Sequence, residues 1–328
     1  MVCKIVINRK WIDFLLRCLN SKLVAWSVYV SRQKDENVFG LTDPVFSLTL
    51  PGRENLLSDV CLYADPFLFV KDGYLWLFCE RMKRGGHGHI VAYKTSDLIH
   101  WIFEGVVLER PFHLSYPNVF EYKGDVYMLP ETSKVNEVAL YRAMDFPRNW
   151  EKICVLLSGK PYSDSSVIYH QGMWYLFTSP SDDKLCLFVS KNLLSDSWKE
   201  HPCSPVFSGL KGARGGGSVF KEGNTLYRMG QDDEKSYANN VAVYMIDLLT
   251  ENDYHESLVI PELFDHTNKR YQFGGHHFCR VKFKNETLIA TDGIIKARFI
   301  NRIGFYLEML IFKIKRSIDD RKYRSCRK

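Results

Sequence analysis

Residues 64–80 read ADPFLFVKDGYLWLFCE. Two aromatic-rich runs of strand formers flank the turn Lys71–Asp72–Gly73, and that arrangement predicts a β-hairpin. The pattern returns four times: YPNVFEYKGDVYMLPE (116–131), DSSVIYHQGMWYLFTS (164–179), GGSVFKEGNTLYRMGQ (216–231) and, more weakly, HFCRVKFKNETLIATD (277–292). With Phe69, Phe120, Ile168, Phe220 and Val281 as equivalent anchors, the spacings are 51, 48, 52 and 61 residues.

Between the hairpins lie further strand-like runs: GHIVAYKTSDLIHWIFEGVVL (88–108), NEVALYRAMDFPRNWEKICVLL (136–157) and DKLCLFVSKNLLSDSWKEHP (183–202). Each holds a strand, a polar turn followed by Trp, and a second extended segment. A unit therefore carries about four strands in about 50 residues, the period of a propeller blade. Five units predict an all-β, five-bladed β-propeller over 58–295, with short α-helical N- and C-terminal extensions at 1–57 and 296–328. A β-sandwich with irregular loops is the alternative, and the repeat favours the propeller.

The blade geometry fixes where side chains go. The first strand of a blade is innermost and the second runs back beside it, so the start of one and the end of the other share a rim. Four residues before the anchors stand Asp65, Tyr116, Asp164, Gly216 and His277. Eleven after them stand Glu80, Glu131, Ser179, Gln231 and Asp292. These positions are expected to ring one solvated end of the central channel, with more charge than a core needs. Converging carboxylates shift one another's pKa values and can divide into acid, base and electrostatic roles, the set that sugar chemistry requires. The local alternative is turn chemistry, since Asp at a strand start often bonds nearby backbone. The ring makes Asp65, Asp164, Glu131 and Glu80 catalytic candidates. Tyr116, Asn118, Arg214, Gln231, Asp232, His276, His277 and Asp292 are candidates for substrate binding. Trp76, Trp174 and Tyr116 can serve as stacking or structural aromatics. No His/Cys/carboxylate spacing demands zinc, and neither a metal nor a cofactor is expected.

The segments ADPFLF, LSYPNVFEYKGDVYMLPET and PYSDSSVIYHQGMWYLFTS resemble the five-bladed propellers of glycoside hydrolase family 43 and its clan relatives. More closely, they resemble the propeller domain at the N-terminus of plant glucosamine inositolphosphorylceramide transferases and in bacterial surface-polysaccharide proteins, where it is sometimes joined to a formyltransferase-like domain. The family 43 resemblance implies a catalytic base at Asp65 and an acid-tuning Asp at Asp164. It also implies a general-acid Glu opening blade four, where this chain has Gly215, Gly216 and Gly217 after Arg214. Without that acid an unactivated glycoside loses leaving-group protonation, whereas a diphosphate leaves without it. Arg214 and the GGGS turn (215–218) offer a guanidinium and backbone N–H groups as an anion cradle. The alternative is a loop that merely lets the chain turn. In RGGHGH (84–89), His87 and His89 read as hairpin-loop residues rather than metal ligands.

The net charge is +6, but it is unevenly placed. Residues 296–328 hold eleven Lys/Arg against three acids, so the other 295 residues sum to −2. That argues against a nucleic-acid-binding face on the body. The run FINRIGFYLEMLIFKIKR (299–316) is too charged to span a bilayer and reads as a basic interfacial helix for an anionic membrane surface; a helix packed on the propeller is the alternative. A shorter helix is expected at 10–19. The nine cysteines are scattered without a CxxC pair, and the N-terminus lacks a signal-peptide core. Together these features predict a cytoplasmic protein, peripheral at the inner face of the membrane. The leading expectation is a glycosyltransferase in cell-surface glycan synthesis, taking an activated sugar donor and a glycan or glycolipid acceptor. A family-43-like glycosidase and a non-catalytic glycan-binding propeller are the alternatives.

Overall fold

The computed structural model describes residues 24–49, 60–83 and 86–296. The helices expected at 10–19 and 299–316 lie outside the described residues, as does the basic tail beyond Lys296.

The described chain forms a five-bladed β-propeller. Blade one is β3 (Val60–Lys71), β4 (Tyr74–Lys83), β5 (Gly88–Thr95) and β6 (Ile102–Leu108), paired in that order. Blade two is β7 (Ser115–Tyr122), β8 (Asp125–Glu131), β9 (Glu137–Asp145) and β10 (Asn149–Ser158). Blade three holds β11 (Ser163–His170), β12 (Met173–Ser181) and β13 (Lys184–Ser190), edged by the short strands β14 (Lys199–Glu200) and β15 (Phe207–Ser208). In blade four the inner strand is broken into β16 (Lys211–Gly215) and β17 (Phe220–Glu222), both paired with β18 (Thr225–Asp232), and β19 (Asn240–Leu249) and β20 (Tyr254–Ile260) follow. Blade five starts with β21 (Phe278–Phe283) and β22 (Glu286–Lys296) and is completed by β1 (Val24–Gln33) and β2 (Leu41–Thr49) from the other end of the chain. The propeller thus uses residues 24–49 as well as the 58–295 range. β1 lies antiparallel to β22 from Val24↔Lys296 to Arg32↔Leu288.

The hairpins close as their turn chemistry predicts. Asp72–Gly73, Lys123–Gly124 and Gln171–Gly172 all take positive φ at both positions, the geometry of a two-residue turn matched to strand twist. Apolar side chains fill the spaces between blades. Phe67, Leu77 and Cys79 pack on Val28 and Ala290 across blades five and one. Trp76 and Phe78 pack on Met128 and Trp150 across blades one and two. Trp174 and Leu176 meet Leu129 and Leu140 across blades two and three. Trp76 and Trp174 are therefore core residues.

One irregularity repeats. Asp65, Tyr116 and Asp164 hold left-handed φ values of 51°, 49° and 50° in the inner strands of blades one, two and three. Strand register slips at each, between Ala64 and Phe67, Ser115 and Asn118, and Ser163 and Ser166. Each bulge re-aims a side chain. A non-glycine residue held there costs on the order of 1–3 kcal/mol, which the surrounding structure must offset.

Candidate functional site

The bulges carry a shared backbone arrangement. Each bulged residue turns its N–H toward a carboxylate of a neighbouring blade. Asp65 N donates to Asp292 Oδ2 at 3.2 Å, Tyr116 N to Asp65 Oδ2 at 3.1 Å, and Asp164 N to Glu131 Oε2 at 3.3 Å. The acids at the axis are therefore partly structural: they satisfy buried donors that the bulge frees from the strand ladder.

Above these contacts lie two charged groupings. In the first, Asp292 accepts the N–H groups of His276 at 2.8 Å and His277 at 3.1 Å on Oδ1, and its Oδ2 lies 2.6 Å from His276 Nδ1. His276 Nε2 reaches to 3.7 Å from Asp65 Oδ1. Burial disfavours the imidazolium, but Asp292 and then Asp65 and Asp164 hold its pKa up at about 9. Burial likewise opposes the Asp292 charge, and the His276 cation overcomes it, so Asp292 sits below the usual carboxylate range. Asp65, His276 and Asp292 bring possible ligand atoms within 4.8 Å of one another; the His276 cation already supplies positive charge there. His277 differs from its neighbour. Burial takes it down to about 3, so it is neutral, packed edge-on against Phe67 at 4.5 Å.

In the second grouping, Asp164 Oδ2 accepts from Arg214 Nε at 2.9 Å and Gln231 Nε2 at 2.9 Å, with Arg214 Nη2 at 2.7 Å. Burial pushes the Asp164 carboxyl up to about 7 against the pull of Arg214. Burial also pushes Asp65 up to about 7, opposed by His276 and reinforced by Asp164 and Asp292. Two carboxyls poised near neutrality can each give or take a proton.

The ring positions thus converge, with corrections. Asp65 and Asp164 are 5% and 4% exposed, so they sit beneath the rim rather than on a solvated edge. Tyr116 is fully buried, and its hydroxyl accepts the Gly217 N–H at 3.0 Å, so it presents no stacking face. The GGGS turn is not an open cradle. Gly216 N donates to Met229 O and Gly217 N to Tyr116 Oη, and Arg214 is engaged with Asp164. The glycines are there for close approach: a Cβ on Gly215 would stand 2.6 Å from Asp164 O, and one on Gly217 2.0 Å from Phe278 O. Asp232 faces Lys211 at 3.2 Å and caps its own loop at Glu234 N. His87 binds Arg110 O at 2.8 Å.

Several buried polar atoms at the axis have no hydrogen-bond partner among the described residues: both ring nitrogens of His277, Gln231 Oε1 and Asn118 Nδ2. The mouth is aromatic. Trp26 and the exposed Tyr237 lie 6.1 Å apart, and their rings pack on His276 at 4.7 and 5.7 Å. The Arg214 guanidinium lies 5.5 Å from the Tyr237 ring centre. Sequence reasoning missed both. Trp26 lies in a segment read as an extension, although VAWSVYVS (24–31) alternates like a strand. Tyr237 lies in a loop with no pattern to mark it.

Residues 26–293 match the family model described as glucosamine inositolphosphorylceramide transferase 1, N-terminal. The chain is 32% identical over 260 residues to glucosamine inositolphosphorylceramide transferase 1 of Arabidopsis thaliana, covering 75% of this chain and 34% of that protein. It is 35% identical over 235 residues to the protein of the same name from Oryza sativa subsp. japonica, covering 68% and 31%. The chain thus spans about a third of the length of these relatives. Among solved structures, an alpha-L-arabinofuranosidase of Clostridium thermocellum superposes with a TM-score of 0.53 at 15% identity, covering 73% of this chain and 85% of that one. That likeness concerns the fold.

Proposed function

This chain belongs to the glucosamine inositolphosphorylceramide transferase 1, N-terminal family, and we propose that its axis site serves glycosyl transfer in glycan or glycolipid synthesis. The observation that carries the reading is the pairing of Asp65 and Asp164. They occupy equivalent bulges of blades one and three, share left-handed backbone, and hold carboxyls poised near neutrality. In this reading Asp65 takes the proton of an acceptor hydroxyl as the new bond forms at the sugar carbon. Asp164, with Arg214 and Gln231 on one oxygen, orients the sugar and stabilises developing positive charge. The relatives' names point to an amino-sugar donor and an inositol-phosphate headgroup as first substrates to try.

The test is incubation of the full chain with labelled sugar donors and lipid acceptors, followed by mass spectrometry of the products. Product formation that vanishes in Asp65→Asn supports the reading; none from any donor–acceptor pair sinks it. A second reading, a glycan-binding propeller without catalysis, is favoured by the backbone-capping work of Asp65, Glu131 and Asp292. Binding that survives Asp65→Asn with no turnover in the unaltered chain would select it. A family-43-like hydrolase would release free sugar in the same assay. We further propose cytoplasmic, peripheral attachment to an anionic membrane through 299–328, tested by vesicle sedimentation of the full chain against a chain ending at Ala297.

A further inference from the structure

Glu80, the remaining acid of the ring, pairs with Ala64 across the β3–β4 ladder, and its Oε1 lies 3.4 Å from His113 Nε2. Away from the axis, a separate cavity of about 220 Å³ lies at the seam of blades three and four. Val206 and Phe207 wall it from the edge of blade three, and Tyr244, Tyr254, His255 and Glu256 from β19 and β20 of blade four. Drug-sized ligands occupy roughly 300–1,000 Å³, so this smaller volume suits a single ring.

The wall is fixed from beneath by Arg228, which is 2% exposed. From β18 it reaches outward to Glu256, with Nε donating to Oε2 at 2.7 Å and Nη2 to Oε1 at 2.5 Å. It also reaches inward, with Nη1 donating to Gly212 O at 2.6 Å. Tyr254 Oη donates to Glu256 Oε2 at 2.5 Å, and Tyr244 Oη to Lys211 O at 2.7 Å. The guanidinium lies 4.4 Å from the Tyr244 ring centre and 5.5 Å from that of Phe207. Gly212 makes room for the fit: its φ is 123°, and a Cβ there would collide with the Tyr244 hydroxyl. Rings and carboxylate are thus held in place before a guest arrives, which lowers the ordering cost of binding.

Charge and shape narrow the guest. Arg228 already neutralises Glu256, so a cation finds no unpaired partner, and an anion meets the carboxylate. Phe207, Tyr244 and Tyr254 supply apolar faces. Among the described residues Glu256 Oε1 takes one hydrogen bond, and a carboxylate oxygen can accept two. A wholly apolar guest would cover that acceptor and leave it unmatched. A sugar ring brings both a C–H face and hydroxyl donors. We infer that this seam is a second sugar site, taking one ring of a glycan with a hydroxyl donating to Glu256 Oε1. It lies apart from the axis and stands whether or not the axis performs transfer.

The experiment is an NMR titration of the full chain labelled at valine methyl groups, with Val206→Leu identifying the Val206 signals. The probes are the methyl glycosides of glucose, galactose, mannose and N-acetylglucosamine, with cyclohexanol and inorganic phosphate for comparison. At least one glycoside should shift Val206 saturably, cyclohexanol should shift it less at equal concentration, and phosphate should leave it unmoved. Phe207→Ala should weaken that glycoside about fivefold, the scale of one aromatic contact. Phe207→Leu keeps apolar bulk without the flat face and should weaken it too, so the inference stays exposed to refutation if the alanine variant does not fold. Tyr237→Ala, at the axis mouth, should leave the Val206 shifts unchanged. Glycosides that do not move Val206, cyclohexanol or phosphate that moves it as much, or shifts that vanish with Tyr237→Ala overturn the inference. Saturable Val206 shifts in a chain without transferase activity uphold it and strike the transfer reading alone.

Discussion

Asp65 Oδ2 accepts the backbone N–H of Tyr116 at 3.1 Å, joining two bulged residues of adjacent blades whose φ values are 51° and 49°. The same carboxyl is the leading candidate for the base, so chemistry and architecture meet on one side chain. Substitutions can separate them. Asp65→Asn keeps a carbonyl acceptor for Tyr116 N and should fold with its stability nearly intact while losing turnover. Asp65→Ala leaves a buried donor unmatched and should cost about 1–3 kcal/mol more than Asn. Urea denaturation of the two variants measures the difference. Equal stability would show that the contact does not hold the blades together.

Arg214 is first a partner of Asp164, at 2.7 Å through Nη2. Removing one member of a buried ion pair strands the other and costs about 3–5 kcal/mol. Arg214→Ala should therefore lose stability of that order, and Arg214→Ala with Asp164→Asn should recover much of it, as a double-mutant cycle reports. Sugar-diphosphate affinity measured by calorimetry should change little beyond what misfolding explains. A large, specific loss of diphosphate affinity with an intact fold would restore the anion cradle.

The pH dependence of stability follows from opposite signs. His276 is held at about 9, above its ordinary 6.5, so its contribution is whole below 6.5 and is lost as pH rises through 9. Asp65 and Asp164 are raised from 3.8 to about 7. The folded state binds their protons more tightly than the unfolded chain, so they are neutral to stability below 3.8 and an increasing burden up to about 7. Thermal melts should thus be highest on the mildly acidic side and decline into the alkaline range. His276→Gln should flatten the decline above neutrality, and Asp65→Asn the decline below it. An alkaline limb that His276→Gln leaves unchanged would contradict the assignment of charge to His276.

Tyr237 is 55% exposed, an unusual position for an aromatic that lines a charged site. With Trp26 it offers flat apolar faces on which the C–H side of a sugar ring could rest. Tyr237→Ala should weaken glycan binding by roughly 1 kcal/mol, within the range for one aromatic contact, and leave the melting temperature within a degree or two. Saturation-transfer NMR with a panel of methyl glycosides reads the loss. Unchanged binding would place the sugar elsewhere on the axis.

The repeat made the architecture legible because each hairpin carries its own turn signal and strand alternation: Gly73, Gly124 and Gly172 punctuate three blades alike. The four-residue offset before each anchor also placed Asp65, Asp164 and His277 near one another. Depth and partnership were not legible. Asp65 reads as a rim residue until the bulge is seen to draw it under Tyr116, and Arg214 reads as a free cation until Asp164 is found beside it. His113 gives no signal at all, since its position against Glu80 depends on the path of the loop before β7. Trp26 was hidden for a topological reason: its strand belongs to the blade that begins at residue 278.

That topology sets a timetable for synthesis. β1 can pair with β2 at once, but its other edge finds β22 only roughly 250 residues later, or about 12–50 s at 5–20 residues per second. During that interval the β1–β2 pair, carrying Val28 and Val30, waits with its β22-facing edge open. A nascent chain of this kind is a natural client for a holding chaperone. Its ring also closes last at blade five, where His276 and Asp292 reside, so the charged centre of the site comes together only with the final pairing.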